Sequence, residues 1–475
     1  MRHAGAPLTF DRYASPFSWR YGSPELRALF SERERRRLWR AVWIALAEAQ
    51  PGLVSPAQLA DLRAHAHDVD VEAALEIERE THHDLVAELR LFATQAAVGG
   101  GRLHLGATSM DVEDTVEIYR LRRALSALGA ALRRLLGRFG ERIREHADLA
   151  CMGFTHLQPA EPTTVGYRLA LYAQDLLADY DHLRFVFEQL RAKGMRGAVG
   201  TSASYEALLG GNGASEEMER RVLARFGLEA RDVSSQVYSR SLDYMLLSAL
   251  AALAASLSKF AADVRILSAP PFGELSEPFE ERQIGSSAMP FKRNPILSER
   301  IDSLARLLPA YASVAWQNAA TNYLERTLDD SANRRTILPE AMLCTDELLA
   351  LAYRVVDRVH VDERRVAQNL RTYGPFSGTE AVMMEGVRAG ADRQKLHAEL
   401  RDAAMSAWAA LERGEDNPLA QLLAENATLR ACVDPAEIRR LLDPGGHVGT
   451  APVRARRLAE RIDALAKFPE QREVG

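Results

Sequence analysis

Apolar residues along this chain recur at alternating spacings of three and four. In one segment, Asp111 to about His146, the positions Leu121, Leu125, Leu128, Leu132, Leu135 and Phe139 form such a stripe. Val165, Leu169, Tyr172, Leu176, Leu183, Phe187 and Leu190 repeat it, as do Leu242, Leu246, Ala249, Leu253, Leu257 and Phe260. Weaker stripes pass through Ile301, Leu304, Leu308 and Tyr311, and through Leu338, Met342, Leu349 and Val356. This is the period of helices that bury one face. At ~1.5 Å per residue the first segment would be about 50 Å long, well beyond an ordinary globular helix. Five such helices predict an all-α fold with a central, elongated five-helix bundle. No alternating strand pattern longer than a few residues is evident.

Turn chemistry divides the chain. "GGGRLHLGATS" (99–109) closes a first, smaller helical region, and after His360 the helices shorten between "YGPFSG", "GEDNP" and "LDPGGHVG". The expected units are an N-terminal helical domain (1–108), the long-helix bundle (109–361) with a mobile loop at 275–295, and a C-terminal helical domain (362–475). The most apolar run, Met245 to Leu257, contains serines and is too short to span a bilayer.

Composition narrows the class without naming a chemistry. The 475 residues leave room for about three domains at roughly 150 residues each. With 47% hydrophobic and 26% charged residues the chain reads as an ordinary soluble protein. A net charge of −5 offers nothing for nucleic acid to bind. Cys151, Cys344 and Cys432 are too few and too scattered for a disulfide framework or a paired-cysteine metal site. The first residues lack the apolar core of a signal peptide. A cytoplasmic enzyme without metal, nucleic-acid or membrane partners fits these features.

The chemistry concentrates in Gly285-Ser286-Ser287-Ala288-Met289-Pro290-Phe291-Lys292-Arg293-Asn294-Pro295. Asn294 suits a helix N-cap and Pro295 the first helical position. Lys292 would then stand just outside a helix N-terminus, where free N–H groups and the dipole favour an anion. A small carboxylate is the natural tenant, with two hydroxyls beside it.

That segment resembles the loop of the fumarase/aspartase superfamily, and its form is most similar to that of the adenylosuccinate lyases. "SPFSWRYGSPE", "WRAVWIALAEAQ", "THHDLVAE", "HLGATSMDVEDT", "GFTHLQPAEPTTVGYR", "QVYSR" and "ERTLDDSANRR" match in family order from residue 16 to 335, and "GADRQKLHAELRDAA" extends the match. The resemblance implies three all-α domains, a homotetramer whose middle bundles form a helical core, and sites to which three subunits contribute. It also implies a β-elimination that releases fumarate with no cofactor, from adenylosuccinate giving AMP and from SAICAR giving AICAR.

Such a reaction removes a proton beside a carboxylate, builds a dianionic aci-carboxylate and protonates the departing heteroatom. It therefore needs a base, an acid and fixed positive charge. By resemblance Ser286 is the base, with Lys292 supporting the alkoxide; the residues alone do not choose between Ser286 and Ser287. His156 matches the general acid, an imidazole being suited to donate a proton near neutral pH. His83 matches a second histidine at the substrate and Asp84 an orienting or ligand group, while His82 stands where the family commonly has arginine. Glu299 is expected to pair with a cation or histidine of the site. Thr108, Ser109 and Gln236 match residues that hold the succinyl carboxylates, and Asn294 belongs to the same binding loop. Arg20, Tyr21, Arg300, Arg326, Ser331 and Arg335 match the nucleotide-phosphate side, where arginine forks suit a dianion. Argininosuccinate lyase would share the loop but needs no phosphate cluster, so "ERTLDDSANRR" and Arg20-Tyr21 weigh against it.

Overall fold

The computed structural model describes residues 11–280, 282–283, 288–289 and 291–474. Ser286 and Ser287 lie outside the described residues. The elements that position the site are helices α1 (Glu32–Glu48), α2 (Asp84–Gln95) and α3 (Ser109–Glu145), the hairpin strands β1 (Ala150–Thr155) and β2 (Gln158–Thr164), and helices α4 (Val165–Gln189) and α5 (Ser241–Ser268). They continue with β3 (Leu275–Ser276), α6 (Ile296–Ala305), α7 (Leu307–Ala320), α8 (Ser331–Arg358), β4 (His360–Val361) and α9 (Ala451–Asp463).

The apolar stripes become the core. Leu125, Leu132 and Phe139 of α3, Leu176 of α4, Leu253 and Leu257 of α5 and Met342 of α8 are completely buried in one cluster. At about 1.5–3 kcal/mol per large apolar side chain removed from water, these faces are the main force holding the long helices together. Helix α5 has the length and apolarity of a membrane span, yet Leu246, Leu253, Phe260 and Val264 pack inside the bundle. Helix α9 joins the same cluster through Ala455, Leu458 and Ile462. A separate, smaller core unites Val382, Leu396, Leu419, Leu429 and Ile438.

Two local features depart from the pattern. The stripe through Ile301 and Tyr311 is broken at Arg306 into α6 and α7. Pro309 explains this, because its ring would strike the carbonyl four residues back, at Ala305, and it has no N–H to offer. The second is the β1–β2 hairpin, which pairs Ala150 with Thr164 and Thr155 with Gln158. Its prolines at 159 and 162 hide it from a strand search. A register shift between Met152 and Phe154 admits Gly153, where an added Cβ would lie 2.6 Å from the Glu161 carbonyl.

Helix α3 spans 37 residues, about 55 Å at ~1.5 Å each, and serves as a ruler. Its C-terminal turn holds the root of the hairpin, through Val165 N–H to Leu149 O (2.9 Å) and Gly166 N–H to His146 O (2.9 Å). Helix α5 runs alongside in the same sense. Arg240, its N-cap, bonds Asp114 near the start of α3, and Arg265 lies in its last turn. Helix α8 likewise starts beside Asp243 and ends at Arg138 and Arg142 of α3.

Candidate active site

At the N-terminal end of α3 the predicted binding residues converge. His83 begins α2, and its Nε2 lies 3.2 Å from Ser109 Oγ, the first residue of α3. Asp84 is buried and accepts a 2.6 Å hydrogen bond from the Arg335 guanidinium, with Arg35 of α1 at 3.7 Å. Burial alone would raise the Asp84 carboxyl, but Arg335, its hydrogen bond and Arg35 outweigh that and hold it below the ordinary carboxylate value. Ser331 and Arg335, one turn apart on α8, share a cavity of about 250 Å³ with Arg35, Glu113, Asp114 and Arg334. Pro339, also in its wall, leaves the Arg335 carbonyl without the usual helical donor.

Buried ion pairs hold this end together. Asp114 accepts the Tyr238 amide at 2.9 Å and the Arg240 guanidinium at 3.1 Å. Asp330 accepts Arg240 at 2.6 Å and Arg326 at 3.1 Å, and Arg334 reaches Asp243 at 2.7 Å. Gln236 joins through its amide, 3.3 Å from the Glu325 carbonyl. Thr108 caps α3 and donates its own amide to Asp111 (3.0 Å), whose carboxylate also meets buried Lys193 and the Tyr205 hydroxyl. His82, in the left-handed conformation at φ 53°, ends the preceding helix and is exposed.

The other predicted residues lie elsewhere. Arg20 and Tyr21 sit against the middle of α8, where the neighbouring Gly22 amide donates to Glu347 at 3.2 Å. Arg20 lies over the Trp19 and Tyr21 rings. His156 occupies the tip of the β1–β2 hairpin, exposed, at the opposite end of α3. It borders a cavity of about 430 Å³ with Leu157, Arg168, Tyr172, Lys259 and Asp263. Lys292 is exposed and its amide donates to the Met289 carbonyl at 3.0 Å. Glu299 approaches Arg265 at 4.0 Å, and Arg300 is half-buried on the same short helix. One chain thus brings together His83, Asp84, Thr108, Ser109, Gln236, Arg326, Ser331 and Arg335. It leaves His156, Lys292, Asn294, Glu299 and Arg300 at the far end.

The helix after the serine loop corrects two expectations. Its N-cap is Pro295 rather than Asn294, and the Asn294 carbonyl accepts the Ile296 amide. The anion at its N-terminus belongs to the chain itself. Buried Glu277 accepts the Leu297 and Ser298 amides at 2.9 and 3.0 Å and the Ser298 hydroxyl at 3.1 Å. An internal carboxylate satisfies the orphan donors and dipole that the sequence offers to a ligand. The same contact, with the β3–β4 pairing of Leu275 to Val361, ties down the start of the 275–295 loop.

Glu113, Arg35 and Asp114 were not anticipated. Glu113 could have been found from spacing alone, since it stands four residues after Ser109 and shares its helical face. Donor atoms of His83, Asp84 and Glu113 lie within 4.8 Å of one another. Arg35 and Arg335 already balance Asp84, so this set is poorly suited to a cation.

Comparison with known proteins gives the family and the fold. A lyase family model matches residues 23–307, and a model of the adenylosuccinate lyase C-terminus matches residues 375–458. Adenylosuccinate lyase of Saccharomyces cerevisiae is 35% identical over 98% of this chain and 97% of its own length. The chain belongs to the adenylosuccinate lyase family. The Schistosoma mansoni adenylosuccinate lyase is 37% identical over 86% of this chain and 87% of its own. Among solved structures, the 3-carboxy-cis,cis-muconate lactonizing enzyme from Pseudomonas putida superposes with a TM-score of 0.83 at 26% identity, covering 94% of this chain and 99% of that one. The all-α architecture is therefore that of a fumarate lyase-like fold.

Proposed function

We propose that this protein is an adenylosuccinate lyase that cleaves the C–N bond of adenylosuccinate to AMP and fumarate, and of SAICAR to AICAR and fumarate. The observation that carries the reading is the wall at the start of α3. There Ser331 and Arg335 line the cavity with the hydroxyl and cationic groups a phosphate requires, His83 and Ser109 meet beside Asp84, and Arg326 joins through Asp330. Argininosuccinate carries no phosphate for that wall to hold. Asp84 presents Arg335 through a charge-assisted bond, and the aspartates around Arg240 fix the helix starts on either side.

In the proposed reaction Ser286 removes the proton from the carbon next to the carboxylate. Lys292 stabilises both the alkoxide and the developing dianion. His156 delivers a proton to the departing nitrogen, leaving AMP and fumarate. His83 and Ser109 hold the succinyl part, while Arg20, Tyr21 and Arg300 complete the nucleotide side.

His156 and His83 are at opposite ends of a helix about 55 Å long, so a complete site needs more than one copy of the chain. Exposed Leu171 and Phe185 on α4 and Trp316 on α7 offer apolar faces for that association. A homotetramer with sites shared between subunits, working in the cytoplasm without a cofactor, is the assembly this reading favours. Parallel assays with adenylosuccinate and argininosuccinate test it. Turnover of the first is expected, and turnover of only the second would overturn the substrate assignment.

A further inference from the structure

The wall at the start of α3 holds two carboxyl groups where the proposed chemistry uses one. Asp84 comes from α2 and Glu113 from α3, and their oxygens lie within 4.8 Å of each other and of a His83 nitrogen. Two carboxylates this close cannot both ionise cheaply, so one holds the charge and the other a proton. The surroundings decide which. Asp84 has the two guanidiniums, Arg335 at 2.6 Å and Arg35 at 3.7 Å. Glu113 has no hydrogen bond or ion pair of its own among the described residues, and it lines the cavity that Ser331 and Arg335 also line. The charged groups facing it are Glu32 and Arg35 from α1, Asp84 from α2, Asp114, Glu117 and Arg120 from α3, and Arg334 and Arg335 from α8. His83 completes the ring, its buried Nδ1 lying 3.6 Å from Asp84 Oδ1 without a hydrogen bond among the described residues.

We propose that the Asp84–Glu113 pair carries one proton whenever an anionic group of the substrate is bound beside Arg335, so that Glu113 makes nucleotide binding proton-coupled. This inference rests on the adenylosuccinate reading and adds a specificity residue to it. An anion arriving at Arg335 meets Asp84 already charged. A second charge on Glu113 would repel it across a partly enclosed cavity, whereas a neutral Glu113 presents an O–H donor instead. Burial in the cavity wall, reinforced by Asp84 and Asp114, pushes the Glu113 carboxyl up to about 8. The coupling therefore falls in a range where enzymes are assayed. Because this value is raised, the protonated, binding-competent form dominates below it and is lost as the pH rises through it.

The test combines turnover of adenylosuccinate with calorimetric titration of AMP, in two buffers of different ionisation enthalpy, on the full-length protein and on Glu113→Gln. Glutamine keeps the shape and cannot ionise. For the unaltered protein AMP affinity should fall about tenfold between pH 7 and 9, the effect of one proton, with uptake approaching one proton at pH 9. For Glu113→Gln the affinity should change by about twofold or less over that range, with no uptake. Equal pH dependence and equal proton uptake in the two proteins would overturn the inference while leaving the activity assignment standing. Absence of adenylosuccinate turnover and of AMP binding in the unaltered protein would overturn both. Glu113→Asp, which keeps an ionisable group, should retain the pH dependence; losing it would also count against the proposal.

Discussion

At one end of the bundle Asp114, Asp243 and Asp330 hold arginines inside the fold; at the other, His156 and Lys292 stand on turns open to solvent. The first end is wired within a single chain, and its groups are fixed before any ligand arrives. The second presents the side chains to which proton transfer (His156) and charge stabilisation (Lys292) are proposed. On the proposed assignment, recognition and reaction follow different building rules, internal for the first, exposed and dependent on association for the second.

The sharpest way to break the wired end is to remove a carboxylate that several arginines share. Asp330→Ala leaves Arg240 and Arg326 short of a partner in a dry interior, and should cost roughly 3–5 kcal/mol of stability in chemical denaturation. A loss below about 1 kcal/mol, the range of exposed pairs, would show that the network is not what holds this end. At the exposed end, His156→Ala should leave the melting transition in place and lower turnover at least ~100-fold, the lower range for general acid–base loss. Near-normal turnover would remove His156 from the acid role.

Arg335→Ala lies between these extremes. Losing a charge-assisted bond should weaken AMP binding roughly tenfold to a hundredfold, with a smaller change in turnover at saturation. Unchanged binding would place the phosphate elsewhere. The smallest expected effect comes from the hairpin tip, where His156 and Leu157 both adopt left-handed backbone, at φ 53° and 60°. A side chain there costs roughly 1–2 kcal/mol, a penalty glycine avoids. Leu157→Gly should hold or raise the melting temperature while lowering turnover a few-fold, because a relaxed turn aims His156 less well. A variant that is both less stable and fully active would contradict this account of the turn.

The same contrast explains what could be read in the sequence. The long helices were legible because Leu125, Leu132 and Leu253 repeat with helical period, and burial enforces that period. His83, Ser109 and Arg335 were legible through resemblance, although nothing in their spacing showed that they meet. The hairpin under His156 was not, because Pro159 and Pro162 interrupt its strand pattern. Nor was Glu277 as the carboxylate at the α6 N-terminus, since its pairing depends on a chain reversal that local composition does not report. Glu113 was within reach of helical spacing, but its proton depends on Asp84, which comes from another helix.

The claim that the two ends serve one reaction is tested most directly by mixing two variants, His156→Ala and His83→Ala, each crippled at one end. If each site takes His156 and His83 from different copies, subunit exchange should restore activity toward about a quarter of the unaltered level, since half the donors at each position are intact. Activity that stays at the level of the separate variants, in mixtures shown to have exchanged subunits, would mean that one chain supplies both histidines and that the separation seen along α3 is not the working arrangement.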